Sequence, residues 1–69
     1  MIAPGTYVVV GEAYAWKAFT LYADGRVDFV DAHDGHVSSW SIHTWGEGER
    51  WLADRAKDLA AGELRKEGT

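Results

Sequence analysis

Two Asp-Gly dipeptides, Asp24-Gly25 and Asp34-Gly35, stand ten residues apart, each between segments of alternating apolar residues. Asp-Gly in that setting is a strong hairpin signal, because glycine takes the left-handed conformation that tight β-turns require. Once two turns are placed, few registers keep the apolar residues together, since a slip of one residue sends every side chain to the other face. A three-residue loop with Gly25 left-handed sets Leu21 opposite Val27 and Phe19 opposite Phe29. A two-residue loop would instead oppose Leu21 to Asp28 and Phe19 to Val30, mixing polar with apolar. At the second turn, a two-residue loop pairs His33 with His36, Asp31 with Ser38, Phe29 with Trp40 and Val27 with Ile42. The two hairpins then agree: Phe19, Leu21, Val27, Phe29, Trp40 and Ile42 share one face of one sheet.

The β-branched and aromatic run over 6–10 adds a further strand, and beyond His43 the period changes. Thr44 and Glu47 have the spacing of a capping box, although Gly46 and Gly48 allow a start nearer Glu49. Leu52, Ala53, Ala56, Leu59, Ala60 and Leu64 form a stripe roughly 140° wide at helical spacing. Gly62 is expected to weaken the last turn, and residues 66–69 to fray. The sequence therefore predicts an α+β domain spanning 1–69, a four-stranded antiparallel β-meander with one C-terminal helix packed on one face. Strands are expected over 6–11, 16–22, 26–33 and 36–43, and the helix over 47–65. The chain has 69 residues and no cysteine. Disulfides and thiolate metal sites are thus excluded, and a core this small must rely on efficient packing or self-association. Four Trp, three Tyr and two Phe make packing the natural route.

One helix covers one face of such a sheet. The same register displays Trp16, Ala18, Tyr22, Val30, Val37 and Ser39 on the other face, with Tyr7 or Val9 beside them. A contiguous apolar patch of that kind marks an interaction surface, and Trp and Tyr are favoured anchors. Trp45 and Trp51 fall off the core stripe of the helix, so they either join this surface or pack on the sheet margin. The expected binding residues are Trp16, Tyr22, Val30, Tyr7, Trp45 and Trp51.

Chemistry finds less support. Asp31, His33 and His36 would meet at the second turn, but His-Asp-Gly-His matches no metal-binding spacing, and neither a metal nor another cofactor is expected. The aspartates between 24 and 34 lack the alternation of a calcium loop. Ser38, Ser39 and Ser41 reflect strand alternation and no Gly-x-Ser-x-Gly elbow exists. Gly46 and Gly48 lack the remaining glycines of a phosphate loop. No enzyme is expected.

The net charge is −4, and residues 1–48 carry all of it, with six acids against Lys17 and Arg26. Phosphate backbones demand the opposite sign, so a basic protein is the better partner and nucleic acid a poor one. The longest apolar run, Tyr7 to Val10, is far short of the roughly 20 residues of a spanning helix. The first five residues lack the basic and apolar regions of a signal peptide. Asn and Gln are absent while Ala, Gly, Asp and Arg abound, as in GC-rich genomes. The sequence thus leads to a cytoplasmic, non-catalytic, acidic protein-binding module, a homodimer through the aromatic face. It would act as a phage- or mobile-element-encoded modulator or inhibitor of a host protein. The alternative is a small-ligand or single-stranded nucleic acid binder that stacks bases on Trp16 and Tyr22.

Overall fold

The computed structural model describes residues 2–44 and 46–68. The alternating segments form β1 (Gly5–Val9), β2 (Trp16–Leu21), β3 (Arg26–Asp31) and β4 (Val37–Ser41). They are followed by α1 (Gly48–Ala60) and a short β5 (Leu64–Lys66). All pairings are antiparallel, in the order β4-β3-β2-β1-β5. The protein is an α+β fold, a four-stranded meander with one helix on one face and a fifth strand added beside β1. Among the described residues, no helix is long and apolar enough to cross a membrane.

The first hairpin has the expected register, Phe19 opposite Phe29 and Leu21 opposite Val27. Gly25 sits at φ +92°, and an added Cβ there would meet the His43 ring at 2.7 Å. The second hairpin differs by two residues: Val27 faces Trp40 and Phe29 faces Ser38, where Ile42 and Trp40 were expected. The cause is a wider turn held by aspartates. Asp31 Oδ1 accepts the N–H groups of His33 (2.7 Å) and Asp34 (3.2 Å), and Asp34 Oδ1 accepts that of His36 (2.8 Å). The Asp31 N–H donates to the His36 carbonyl, so His36 opposes Asp31 and not His33. A slip of two preserves the faces, but it carries Trp40 past the cover of the helix and leaves it 52% exposed.

β2 holds a second departure. Trp16 pairs with Asp31 and Ala18 with Val30, so β2 takes two steps where β3 takes one. This β-bulge at Lys17 turns Trp16 onto the helix side, away from the open face where strict alternation put it. Tyr7 is corrected likewise. It pairs with Phe19, stacks on that ring at 5.1 Å and is 1% exposed, with its hydroxyl donating to the Ala3 carbonyl. The core comprises Ile2, Tyr7, Phe19, Leu21, Val27, Leu52 and Leu64, with Val9, Trp16, Phe29, Ile42, Trp51, Ala56 and Leu59 packed around it. Ala53 and Ala60 are exposed.

The helix is shorter than expected at its C-terminal end and differently capped. Its N-cap is Glu47, which makes no side-chain capping bond, so Thr44 and Glu47 do not form a capping box. Gly48 begins the helix because the backbone is crowded: a Cβ there would lie 2.3 Å from the Ile42 carbonyl oxygen. At the other end Gly62, at φ +81°, stops the helix. Its N–H donates to Leu59 and that of Glu63 to Asp58, the paired bonds of a Schellman motif. Leu64 and Lys66 then pair with Val9 and Tyr7, so the segment expected to end the helix and fray is a strand.

Candidate functional site

The helix side of the sheet ends in an open pocket of about 410 Å³ beside β4. Phe29 and Ser38, a cross-strand pair, line it together with Trp16 and Asp31, another such pair. Trp51 enters from α1, Trp40 from β4, and Ala15 completes the lining. The pocket follows from the two irregularities: the bulge brings Trp16 to this face, and the wide turn sets Trp40 beyond the helix.

The walls are held by aromatic packing. Trp51 meets Phe29 edge-on at 5.8 Å and Phe19 at 5.3 Å, and Trp16 lies 5.6 Å from Phe29. Trp16 is backed by Tyr14, stacked at 4.5 Å and nearly parallel. The Arg55 guanidinium lies 4.9 Å from the Tyr14 ring and 5.2 Å from the Trp51 ring. Asp58 neutralises it at 2.8 Å and also accepts the Tyr14 hydroxyl. That hydrogen bond, and then burial, raises the Tyr14 phenol above its ordinary pKa. These contacts together fix the positions of the Trp16 and Trp51 rings.

Among the described residues, Asp31 is the one charged residue in the lining. The N–H groups of His33 and Asp34 hold its carboxyl below the ordinary carboxylate range, so it is ionised at neutral pH. No Lys or Arg pairs with it among the described residues.

Two smaller depressions share walls with the pocket. One of about 340 Å³, lined by Glu12, Tyr14, Lys17 and His33 among others, shares Ala15 and Asp31. Another of about 360 Å³, formed by Arg26, Ser39, Ser41 and Thr44, shares Trp40. The first adjoins the pocket at the ends of β2 and β3, and the second meets it only at Trp40, on the edge strand β4.

The expected site residues divide between the faces. Trp16 and Trp51 line the pocket, Tyr7 is in the core, and Trp45 lies outside the described residues. Tyr22 and Val30 are on the open face, where the Tyr22 hydroxyl donates to Asp28 (2.9 Å) and the Arg26 guanidinium lies 4.0 Å from the Tyr22 ring. Trp16 and Tyr22 therefore form no common stacking platform. The sequence register assigns Trp40 to the core and Asp31 to the second turn beside His33 and His36, and it gives no role to Tyr14 or Arg55. The Tyr14–Trp16 spacing, two aromatics separated by one residue just before and at the start of β2, was the signal for that wall.

Hydrogen-bonded groups that resemble catalytic pairs are few. Ser39 donates to Asp28 at 2.7 Å on the open face. His43 reaches Ser41 Oγ only through its backbone N–H (3.2 Å), and its ring lies against the Asp24 carbonyl, so no histidine ring is bonded to a serine side chain among the described residues. No group of three His or carboxylate side chains could hold a metal ion among the same residues. Comparison with protein-family models, curated proteins and solved structures finds no match to this chain.

Proposed function

We propose that this chain is a non-catalytic protein-binding module that docks an extended segment of its partner in the groove around Trp40. The carrying observation is the convergence of Trp16, Trp40, Trp51 and Phe29 on an open pocket beside an outer strand. Aromatic residues in a partly desolvated depression are the usual anchors of an interface. An outer strand adds main-chain hydrogen bonding to an extended peptide, while pockets alongside it select side chains. The net charge of −4 favours a basic partner. Size and composition fit a cytoplasmic modulator of a host protein, encoded by a phage or mobile element.

The test is an NMR titration of the ¹⁵N-labelled protein with degenerate heptapeptides. Shifts in the indole N–H signals of Trp16, Trp40 and Trp51 and in the amides of β4 are expected. Shifts confined to Val8, Ala18 and Val30 would overturn the reading.

A second reading, self-association through the open face, draws on one observation. Val37, Val30, Ala18 and Val8 stand in a row across four strands, with Val37 54% exposed. A two-fold dimer would bury that row. Light scattering at micromolar concentration tests it: a dimer that Val30→Asp converts to a folded monomer supports it, and a wild-type monomer rejects it.

A further inference from the structure

We infer that the pocket between Trp16, Trp40 and Trp51 receives a cationic side chain of the docked segment, a lysine, an arginine or a methylated form of either. The inference rests on the docking reading and adds the chemistry of the anchor.

Among the described residues, Trp16, Phe29, Trp40 and Trp51 line the pocket, and aromatic rings attract cations through their quadrupoles. Asp31, the one charge in the lining, is negative and has no Lys or Arg partner among the described residues. Lys17 lines the neighbouring depression and makes no ion pair with it. A neutral occupant would strip water from the carboxylate without returning an interaction, whereas a cation would compensate it. Arg55 lies outside the lining and its charge is already matched by Asp58. The protein itself places cations on its rings elsewhere, Arg26 over Tyr22 and Lys66 near Tyr7. A volume of about 410 Å³ leaves ample room for a long cationic side chain, its methylated forms included.

The experiment compares isosteres that differ in charge. Choline is set against 3,3-dimethyl-1-butanol, and heptapeptides with a central trimethyllysine or lysine against the same peptide with norleucine. Indole N–H shifts of the labelled protein are the readout. Choline and the cationic peptides should shift the signals of Trp16, Trp40 and Trp51, with the peptides binding more tightly than choline. The neutral members should bind at least about fivefold more weakly, a difference of roughly 1 kcal/mol. Asp31→Asn keeps an oxygen for the His33 and Asp34 N–H groups, so the turn should persist while choline affinity falls about fivefold or more. Equal binding of norleucine and lysine peptides would overturn the cationic anchor and leave the docking groove standing. Choline binding without any peptide binding would overturn the groove and leave the cation site. Binding of neither class would end both.

Discussion

The two faces of this sheet solve the problem of a small domain in different ways. On the open face the polar groups satisfy one another. Thr6 and Thr20 hydroxyls meet at 2.8 Å, Ser39 and Tyr22 both donate to Asp28, and Arg26 closes over Tyr22. On the other face aromatic rings pack against α1, and the packing stops short at β4, where Trp40 and Phe29 border open space. Strict strand alternation alone pointed to the open face, because it placed Trp16 there. The difference teaches that the incomplete side of a packed layer is the better place to look for a site, because its walls are packed rings and its carboxylate, Asp31, has no Lys or Arg partner among the described residues.

The sharpest way to break the comparison is to truncate one residue from each face of β2. Phe19 is fully buried between Tyr7, Trp16 and Trp51. Phe19→Ala should cost about 3–5 kcal/mol, most of the stability of a domain this small. Thr20→Ala removes one cross-strand hydrogen bond and should cost less than about 1.5 kcal/mol. Urea denaturation of both variants checks this, and similar losses would mean that the open face is structural in the same sense as the core.

Next in size is Gly48→Ala. The added Cβ would press on the Ile42 carbonyl, which is backbone and yields little, so a loss of roughly 1–3 kcal/mol is expected. Gly46→Ala, with nothing within 4 Å of its added Cβ, is the control. Equal thermal shifts in the two would show that the close approach of α1 to the sheet does not set the requirement at Gly48.

These contrasts also show what could be read in advance. The alternation in β2 and β3 and the Asp24-Gly25 turn sufficed for the first register, because only one loop length kept polar and apolar residues apart. The second turn was less legible, since its width depends on Asp31 and Asp34 capturing neighbouring N–H groups, and two loop widths leave the faces unchanged. The bulge at Lys17 carries no glycine to announce it, so Trp16 was singled out as a site residue on the wrong face. Leu64 satisfied the helical stripe and the pairing with Val9 equally well. Only the left-handed Gly62 decides between them, and it had been read as a weak point instead of a stop.

Acid distinguishes the faces more gently. Asp28 on the open face and Asp31 on the pocket side both have pKa values below the ordinary 3.8, Asp28 through the Ser39 and Tyr22 hydroxyls and Asp31 through backbone N–H groups. A carboxyl whose folded pKa is depressed contributes stability above its unfolded value and loses it as pH falls through the folded one. Stability should therefore be insensitive to these groups from neutrality down to about pH 4 and decline below it. Asp28→Asn should flatten part of that decline without affecting choline binding, while Asp31→Asn should flatten another part and weaken binding. Thermal melts between pH 2 and 7 would read the difference, and an unchanged acid limb in both variants would show that other carboxyls govern it.

The smallest effect on stability is the most telling for the site. Register parity gives Trp40 to the helix side, and a tryptophan in a packed core loses about 3–5 kcal/mol on truncation. Trp40, however, stands on an outer strand at 52% exposure, where truncation should cost about 1 kcal/mol or less. Trp40→Ala would nevertheless remove the wall shared by the pocket and the depression formed by Arg26, Ser39, Ser41 and Thr44. The expected variant is folded, nearly as stable as wild type, and unable to bind the lysine heptapeptide. Chemical denaturation and the indole titration together decide it. A loss of stability in the core range would make Trp40 part of the structural layer, and the pocket would then be a gap in packing rather than a place for a partner.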